Sequence, residues 1–407
     1  MRSYSFFTII LLCLAILLVD TLSFYWLQSV TILLQSVFLQ NLINFVFWVF
    51  TIGLIASIIL LRIRLERMHP YKKQLLITSF YGLTVSSFIP KLIFVIVISV
   101  LYFTNYVFSE EESLIVIPLI ALFSGFLPFF VILHSIFRTL YRFKIYRIKI
   151  NVEDLPSSFE GLRIVHISDL HLGSFRKRYH ILDRAVKIMN HLAPDFIFFT
   201  GDLVNNHAWE LKGWQTVLKK LNAKIGKYAV LGNHDYGDYS DWKSEERKRA
   251  NFETIKYFYK KINFKLLLNE AVSIEKDGQK IAIVGVENWG NPPFKQYGDL
   301  KKALKSVADI PFKMLLSHDP SHWNEEVTDK TNIALTLSGH THGMQAGINI
   351  KSKNWSPIQY KYKQWAGLYK NLNQYLYVTR GLGWMGFPGR LGMRPEITLI
   401  ELYKKIK

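Results

Sequence analysis

The chain has 407 residues, half of them apolar, with 50 Lys and Arg against 31 Asp and Glu for a formal charge of +19. The apolar share excludes global disorder. A single cysteine, Cys13 inside an apolar run, excludes a disulfide framework and a thiolate metal cage, so any metal site must use His, Asp, Glu or Asn.

The averages hide a division. Residues 1–137 carry only seven Lys/Arg and five Asp/Glu, leaving 43 and 26 for residues 138–407. A bilayer span needs about 20 mostly apolar residues. The first part supplies four candidates in succession, at Phe6–Tyr25, Leu42–Leu61, Leu75–Phe103 and Leu114–Phe137. No small-x-small cleavage site follows the first run and three more spans come after it, so it reads as a retained span rather than a signal peptide. The third holds Pro90 and Lys91, which predicts a kink or a late start, with Lys91 snorkelling to the interface.

Lys and Arg in short loops mark the cytoplasmic side. Arg62, Arg64, Arg67, Lys72 and Lys73 follow span two, and Arg138, Arg142, Lys144, Arg147 and Lys149 follow span four; Glu110, Glu111 and Glu112 occupy the loop between spans three and four. The expectation is a multi-pass protein of the cell membrane with everything after span four in the cytoplasm. The division expected is a transmembrane region over 1–137, a basic juxtamembrane connector over 138–160 and a further domain over 161–407.

From about Gly161, short β-branched and aromatic runs alternate with amphipathic, Lys-rich segments of helical length. Strands are predicted at Arg163–Ser168, Phe196–Thr200, Tyr228–Leu231, Lys280–Val286, Lys313–Ser317 and Ile333–Ser338, and helices at Tyr179–His191, Glu210–Leu221 and Lys243–Lys261. Such alternation predicts an α/β domain whose ligands gather beyond the carboxyl ends of strands.

Each strand end carries chemistry. Asp169-Leu170-His171 follows the first strand, and residues two apart on an extended chain point the same way, so carboxylate and imidazole can grip one ion. Gly201-Asp202 follows the second strand and Gly232-Asn233-His234-Asp235 the third. His318 and Gly339-His340-Thr341-His342-Gly343 follow two later strands. Any one of these is common by chance; five in one order, each after an apolar strand, are not. His166, His180, His191 and His322 read as structural or surface residues.

This order of motifs resembles the calcineurin-like metallophosphoesterase superfamily, over about Arg163 to Leu402, and is most similar to its membrane-associated phosphohydrolases. Met344, where Gly commonly follows the last motif, departs from the pattern without touching a ligand position. The resemblance implies a four-layer α/β/β/α sandwich preceded by an all-α transmembrane region of about four helices. It implies two divalent metal ions, with Asp169, His171 and His342 on the first, Asn233, His318 and His340 on the second, and Asp202 bridging both. His234 would be the acid or transition-state stabiliser and Asp235 would orient it. The imidazole and carboxylate set suits manganese, iron, zinc or cobalt. The reaction implied is hydrolysis of a phosphoester or pyrophosphate by metal-activated hydroxide, on a phosphorylated small molecule or a lipid-linked substrate.

Gly381-Leu382-Gly383-Trp384-Met385-Gly386 has the spacing of a dinucleotide loop, but Pro388 and Gly389 stand where a helix should begin, so it reads as a tight loop near the metals. Arg380, Arg390 and Arg394 are either substrate-phosphate contacts or surface charges. Lys351–Lys370 interleaves Lys with Trp and Tyr, which suits an anionic membrane surface; no nucleic-acid module is seen. The alternative to an enzyme is a membrane scaffold or sensor that binds phosphorylated ligands without turnover. All seven ligand positions are filled, which favours the enzyme.

Overall fold

The computed structural model describes residues 5–65, 68–350 and 353–405. Arg67 and Lys351, both part of the charge pattern, lie outside the described residues. The chain forms two compact units, one running to Arg138 and taking in Gly386–Gly389, the other comprising Thr139–Met385 and the residues from Arg390 on.

Among the described residues, the first unit has four helices long and apolar enough to cross a membrane: α1 (Phe6–Thr31), α2 (Val37–Arg64), α3 (Pro70–Phe103) and α4 (Glu110–Phe137). Their outward faces remain apolar, with Phe7, Phe38, Phe45, Phe103 and Phe123 all exposed, which lipid tolerates and water does not. Helix α3 runs through Pro90 without interruption. The acidic cluster before α4 has a local role: Ser109 and Glu112 form a reciprocal capping box, and Glu110 and Glu111 lie in the positive first turn. Lys91 does not snorkel as expected. Its Nζ lies 2.9 Å from Oδ2 of Asp20, which is 1% exposed, and Thr51 donates its hydroxyl to the same carboxylate. Ionisable side chains inside an apolar bundle characteristically pair with one another in this way.

The described residues of the second unit form fourteen strands and four α-helices. In chain order they are β1 (Lys144–Val152), β2 (Leu162–Ile167), α5 (Tyr179–His191), β3 (Phe196–Thr200), α6 (Gln215–Leu218), β4 (Gly226–Val230) and α7 (Glu245–Lys261). Then come β5 (Lys265–Leu266), β6 (Glu270–Lys276), β7 (Gln279–Gly285), α8 (Leu300–Leu304), β8 (Lys313–Leu316) and β9 (Ile333–Ser338). The last are β10 (Ile348–Ile350), β11 (Lys353–Trp355), β12 (Gly367–Asn371), β13 (Gln374–Val378) and β14 (Glu396–Lys404).

Two six-stranded sheets, ordered β1-β14-β2-β3-β4-β5 and β12-β13-β9-β8-β7-β6, face each other. Ile164, Phe196, Phe198, Val230 and Ile400 of the first meet Ile281, Ile283, Met314, Leu316 and Leu337 of the second in one core. Each fully buried side chain of this size contributes roughly 1.5–3 kcal/mol. A second core under α5 and α7 covers the outer face of the first sheet. A third, with Leu300, Ala303, Trp323 and Val327, covers the other. The unit is therefore a four-layer α/β/β/α sandwich. Strand β3 reads as a nearly continuous apolar run because both its faces are covered, and α5 buries Ile181, Leu182, Ala185, Val186 and Met189 on one stripe.

Three sequence expectations change. Residues 144–152, read as connector, form β1, which pairs in parallel with β14. Its Tyr146, Ile148, Ile150 and Val152 alternate inward with period two, a signal masked by the intervening Arg147 and Lys149. The helix expected over Glu210–Leu221 is instead a 3-10 turn at Ala208–Leu211 and the single turn of α6. Gly213, at φ 85°, breaks it, because a Cβ there would strike the Tyr179 ring. Within Lys351–Lys370, Trp355 and Tyr360 are exposed as a membrane-facing stretch would have them, but Trp365 is buried with Ala366 and Met393.

Candidate metal centre

Strands β2, β3 and β4 run parallel in one sheet and β8 and β9 in the other, and the residues just beyond their carboxyl ends converge. These residues stand at sharp turns. Asp169, His171, Asp202, His340 and His342 all have left-handed backbone, with φ between 46° and 71°. That conformation costs a non-glycine residue about 1–2 kcal/mol, and five together mark a place where geometry is held against local preference.

The convergent atoms are spaced as neighbours around shared centres. His171 Nε2 lies 3.1 Å from His342 Nε2 and 3.5 Å from Asp202 Oδ2, and His342 Nε2 lies 3.4 Å from Asp169 Oδ1. On the other side His318 Nε2 is 3.3 Å from Asp202 Oδ2 and 3.2 Å from Asn233 Oδ1, and His340 Nδ1 is 2.9 Å from Asn233 Oδ1 and 3.3 Å from His318 Nε2. Ligands about 2.1 Å from one ion stand roughly 3.0–3.5 Å apart, so the set has the spacing that coordination requires. Asp169, His171 and His342, and again Asp169, Asp202 and His318, place ligand atoms within 4.8 Å of one another. Asn233 donates from Nδ2 to the Tyr239 hydroxyl at 2.9 Å, which turns its Oδ1 toward the histidines.

The electrostatics agree. Burial holds His171 down to about 3 and His340 down to about 4, so their rings are neutral and carry lone pairs. Burial pushes Asp169 up to about 7, with the Asp202 charge adding to it. Burial also opposes ionisation of Asp202, but His318 and His234 overcome it and hold that carboxyl well below its ordinary range. His318 rises to about 10 against its own burial because Asp202 and Asp169 face it. Buried carboxylates ringed by neutral imidazoles thus demand positive charge. A proton on His318 meets part of that demand, and divalent cations would meet all of it.

Residues 162–344 match the family model for calcineurin-like phosphoesterase. The chain is 31% identical over 253 residues to the metallophosphoesterase YkuE of Bacillus subtilis (strain 168), covering 61% of this chain and 81% of that protein. This chain belongs to the calcineurin-like phosphoesterases. It is also 30% identical over 269 residues to a Danio rerio transmembrane protein with metallophosphoesterase domain, covering 64% of this chain. With the phosphodiesterase YaeI of Escherichia coli (strain K12) it shares 28% identity over 242 residues, 59% of this chain and 82% of that one. The chain spans 57% of the length of the Danio rerio protein and 56% of its Bos taurus counterpart.

In this chain the partner of His234 differs from expectation. His234 Nδ1 lies 2.7 Å from the carbonyl oxygen of Asn205. Asp235, fully buried, turns the other way and accepts the backbone N–H groups of Asp202, Leu203, Val204 and Gly232 at 2.9–3.3 Å. It ties the ends of β3 and β4 together. Its role is to hold the turn that carries Asp202.

Glu210, placed in a helix by sequence alone, braces the Asn205 loop. Its carboxylate accepts from the backbone of Gly173, Asn205, Asn206 and His207 and from the Asn205 side chain. The Glu three residues after His207, in capping-box spacing, was the available signal.

Two of the three arginines are not surface charges. Arg380 is buried against Glu396 at 2.7 Å. Arg390 is buried, donates to the carbonyls of Gly383 and Met393, and lies 3.4 Å from His342 Nδ1. Arg394 donates to the carbonyls of Arg142 and Phe143. They hold the closing loop, whose Gly383 N–H donates to Asp169 O at 2.8 Å. His166 and His322 are buried structural residues, bonded to Thr200 and to Ser317 and Glu326; His180 and His191 are exposed.

Proposed function

We propose that the chain is a membrane-anchored phosphohydrolase working with two divalent cations. One observation carries the reading: Asp202 Oδ2 stands between His171 Nε2 at 3.5 Å and His318 Nε2 at 3.3 Å, the arrangement of a carboxylate shared by two sites. Asp169, His171 and His342 would hold one ion and Asn233, His318 and His340 the other, with manganese, iron, zinc or cobalt all suited to these donors. Such a pair, when bound, neutralises nonbridging phosphoryl oxygens and lowers the pKa of water.

The chain's own part is positional and acid–base. The Asn205 carbonyl accepts the Nδ1–H of His234, so Nε2 is the nitrogen that acts on substrate: it carries a lone pair in the neutral ring and gives a proton or hydrogen bond to a phosphoryl or leaving-group oxygen when the ring is imidazolium. Asp202 Oδ1 accepts the His234 N–H at 2.9 Å, so acid and bridging carboxylate move as one.

The substrate class is a phosphoester or pyrophosphate. A diester is supported by the similarity to the phosphodiesterase YaeI, and a lipid-linked substrate by the four spans, since anything held in the same bilayer reaches the site at raised effective concentration. The basic loops after spans two and four support a cytoplasmic position for the α/β/β/α domain at the cell membrane.

The test uses the full chain purified in detergent without added metal. Elemental analysis should find transition metal near two per chain, and a screen of aryl phosphomonoester, aryl phosphodiester and lipid pyrophosphate should find turnover that Asp202→Asn abolishes. Trace metal with no ester cleaved would leave a phosphate-binding sensor as the reading. A carboxyl-terminal reporter active only outside the cytoplasm should stay silent.

A further inference from the structure

His340 presents its two nitrogens to different surroundings. Nδ1 faces Asn233 Oδ1 and His318 Nε2, the ligand side. Nε2 points away from them, to the Tyr362 hydroxyl at 2.8 Å and Asp319 Oδ2 at 3.4 Å.

Asp319 is unusual in its own right. It is 1% exposed, and its Oδ1 accepts from the backbone and hydroxyl of Ser321 at 2.9 and 2.6 Å. Its Oδ2 has no hydrogen-bond partner. Gly290 closes one side so tightly that a Cβ there would come within 2.7 Å of that oxygen. A buried carboxylate oxygen without a donor is costly, and the imidazole Nε2 of His340 stands 3.4 Å from it. The Phe294 ring meets the same imidazole edge to face, with centroids 4.8 Å apart, and limits its rotation.

A histidine that gives one nitrogen's lone pair to a metal carries its proton on the other, and that proton needs an acceptor. We propose that Asp319 and Tyr362 are positioning residues that receive the Nε2 proton of His340 and thereby turn Nδ1 into the second metal position. The Tyr362 oxygen is the near acceptor, and the Asp319 carboxylate behind it supplies the negative charge that favours this tautomer. Neither residue touches substrate or the ion in this role; both act through His340. The inference rests on the two-ion reading and assigns a residue outside the seven ligands to one of its two halves.

The experiment titrates metal-free full-length chain in detergent with manganese(II) alone, following uptake by equilibrium binding and the magnetic coupling of adjacent ions by electron paramagnetic resonance. The parent should take up two ions and show the coupled signal. Asp319→Ala should weaken one of the two binding steps about 10–100-fold, leave the other unchanged and lose the coupled signal at ion concentrations that saturate the parent. Asp319→Asn should fall between, because its amide oxygen can accept but carries no charge. Tyr362→Phe removes one hydroxyl from a half-buried ring, keeps the fold, and should weaken the same step by a smaller factor.

If both steps keep parental affinity in Tyr362→Phe and in whichever Asp319 variant folds, the inference is overturned while the two-ion reading stands. If both steps weaken equally, the residues serve the fold alone and the inference is again overturned. A parent that takes up no manganese overturns the two-ion reading together with this one.

Discussion

The Nδ1 of His234 and the carbonyl oxygen of Asn205, 29 positions apart in the chain, lie 2.7 Å from each other. A carbonyl only accepts, so Nδ1 carries the proton and Nε2 is the working nitrogen. His234→Ala should keep both ions and lose about 10²–10⁴-fold in turnover on an aryl phosphodiester. Glu210→Ala should lose activity in the same direction, because five donors around Asn205 lose their acceptor. Parental turnover in His234→Ala would remove that residue from the mechanism.

Asp202 Oδ2 lies within 3.5 Å of both His171 Nε2 and His318 Nε2, so in the proposed assignment it belongs to both metal positions. Asp202→Asn should therefore reduce bound metal at both positions, and His342→Ala mainly at the position shared with Asp169 and His171. Metal content by elemental analysis distinguishes them. Equal loss in the two variants would argue against a shared carboxylate.

Gly201 turns the chain at φ 93°, and a Cβ there would meet Gly232 N at 2.4 Å and His318 Nδ1 at 2.8 Å. Neither backbone nor a fully buried ring can give way. Gly201→Ala should destabilise the α/β unit by at least about 2 kcal/mol, from left-handed strain and overpacking together. For a unit of this size that lowers the midpoint of thermal unfolding by roughly 4–8 °C. An unchanged midpoint would contradict the packing described.

His166 is fully buried beside Thr200, and burial holds it down to about 3 against an ordinary value of 6.5. Between those values the unfolded chain binds a proton that the folded chain refuses, so stability falls as pH drops from 6.5 toward 3. The limiting slope for one group is about 1.4 kcal/mol per pH unit. His166→Gln keeps a hydrogen-bonding group and should flatten the acid limb by up to that slope in thermal unfolding of the full chain across pH 4–7. An acid limb of parental steepness in a folded variant would rule His166 out as a contributor.

Asp20 and Lys91 link α1 to α3 within the apolar helical unit. Breaking such a pair strands one charge, whereas replacing both partners does not. Asp20→Asn should cost up to about 3 kcal/mol in a detergent unfolding assay, and Asp20→Asn with Lys91→Met should recover most of it. Additive losses would mean that the two side chains are not coupled.

The sequence by itself determined the four long apolar helices and the candidate metal ligands. Length and apolarity are enough to define a membrane helix, and each ligand follows its strand within a few residues, so one local pattern names both the strand and the chemistry at its end. The endings of β3 and β9 and all of α5 were legible for the same reason. What only the tertiary structure decided was partnership. His234 with Asn205, Asp235 with four backbone N–H groups, Arg380 with Glu396, Lys91 with Asp20, and β1 with β14 are pairs brought together by folding. The chain carries no mark of them, because a buried charge or an oriented ring reports its partner only once the surrounding core has excluded water and left it a single neighbour.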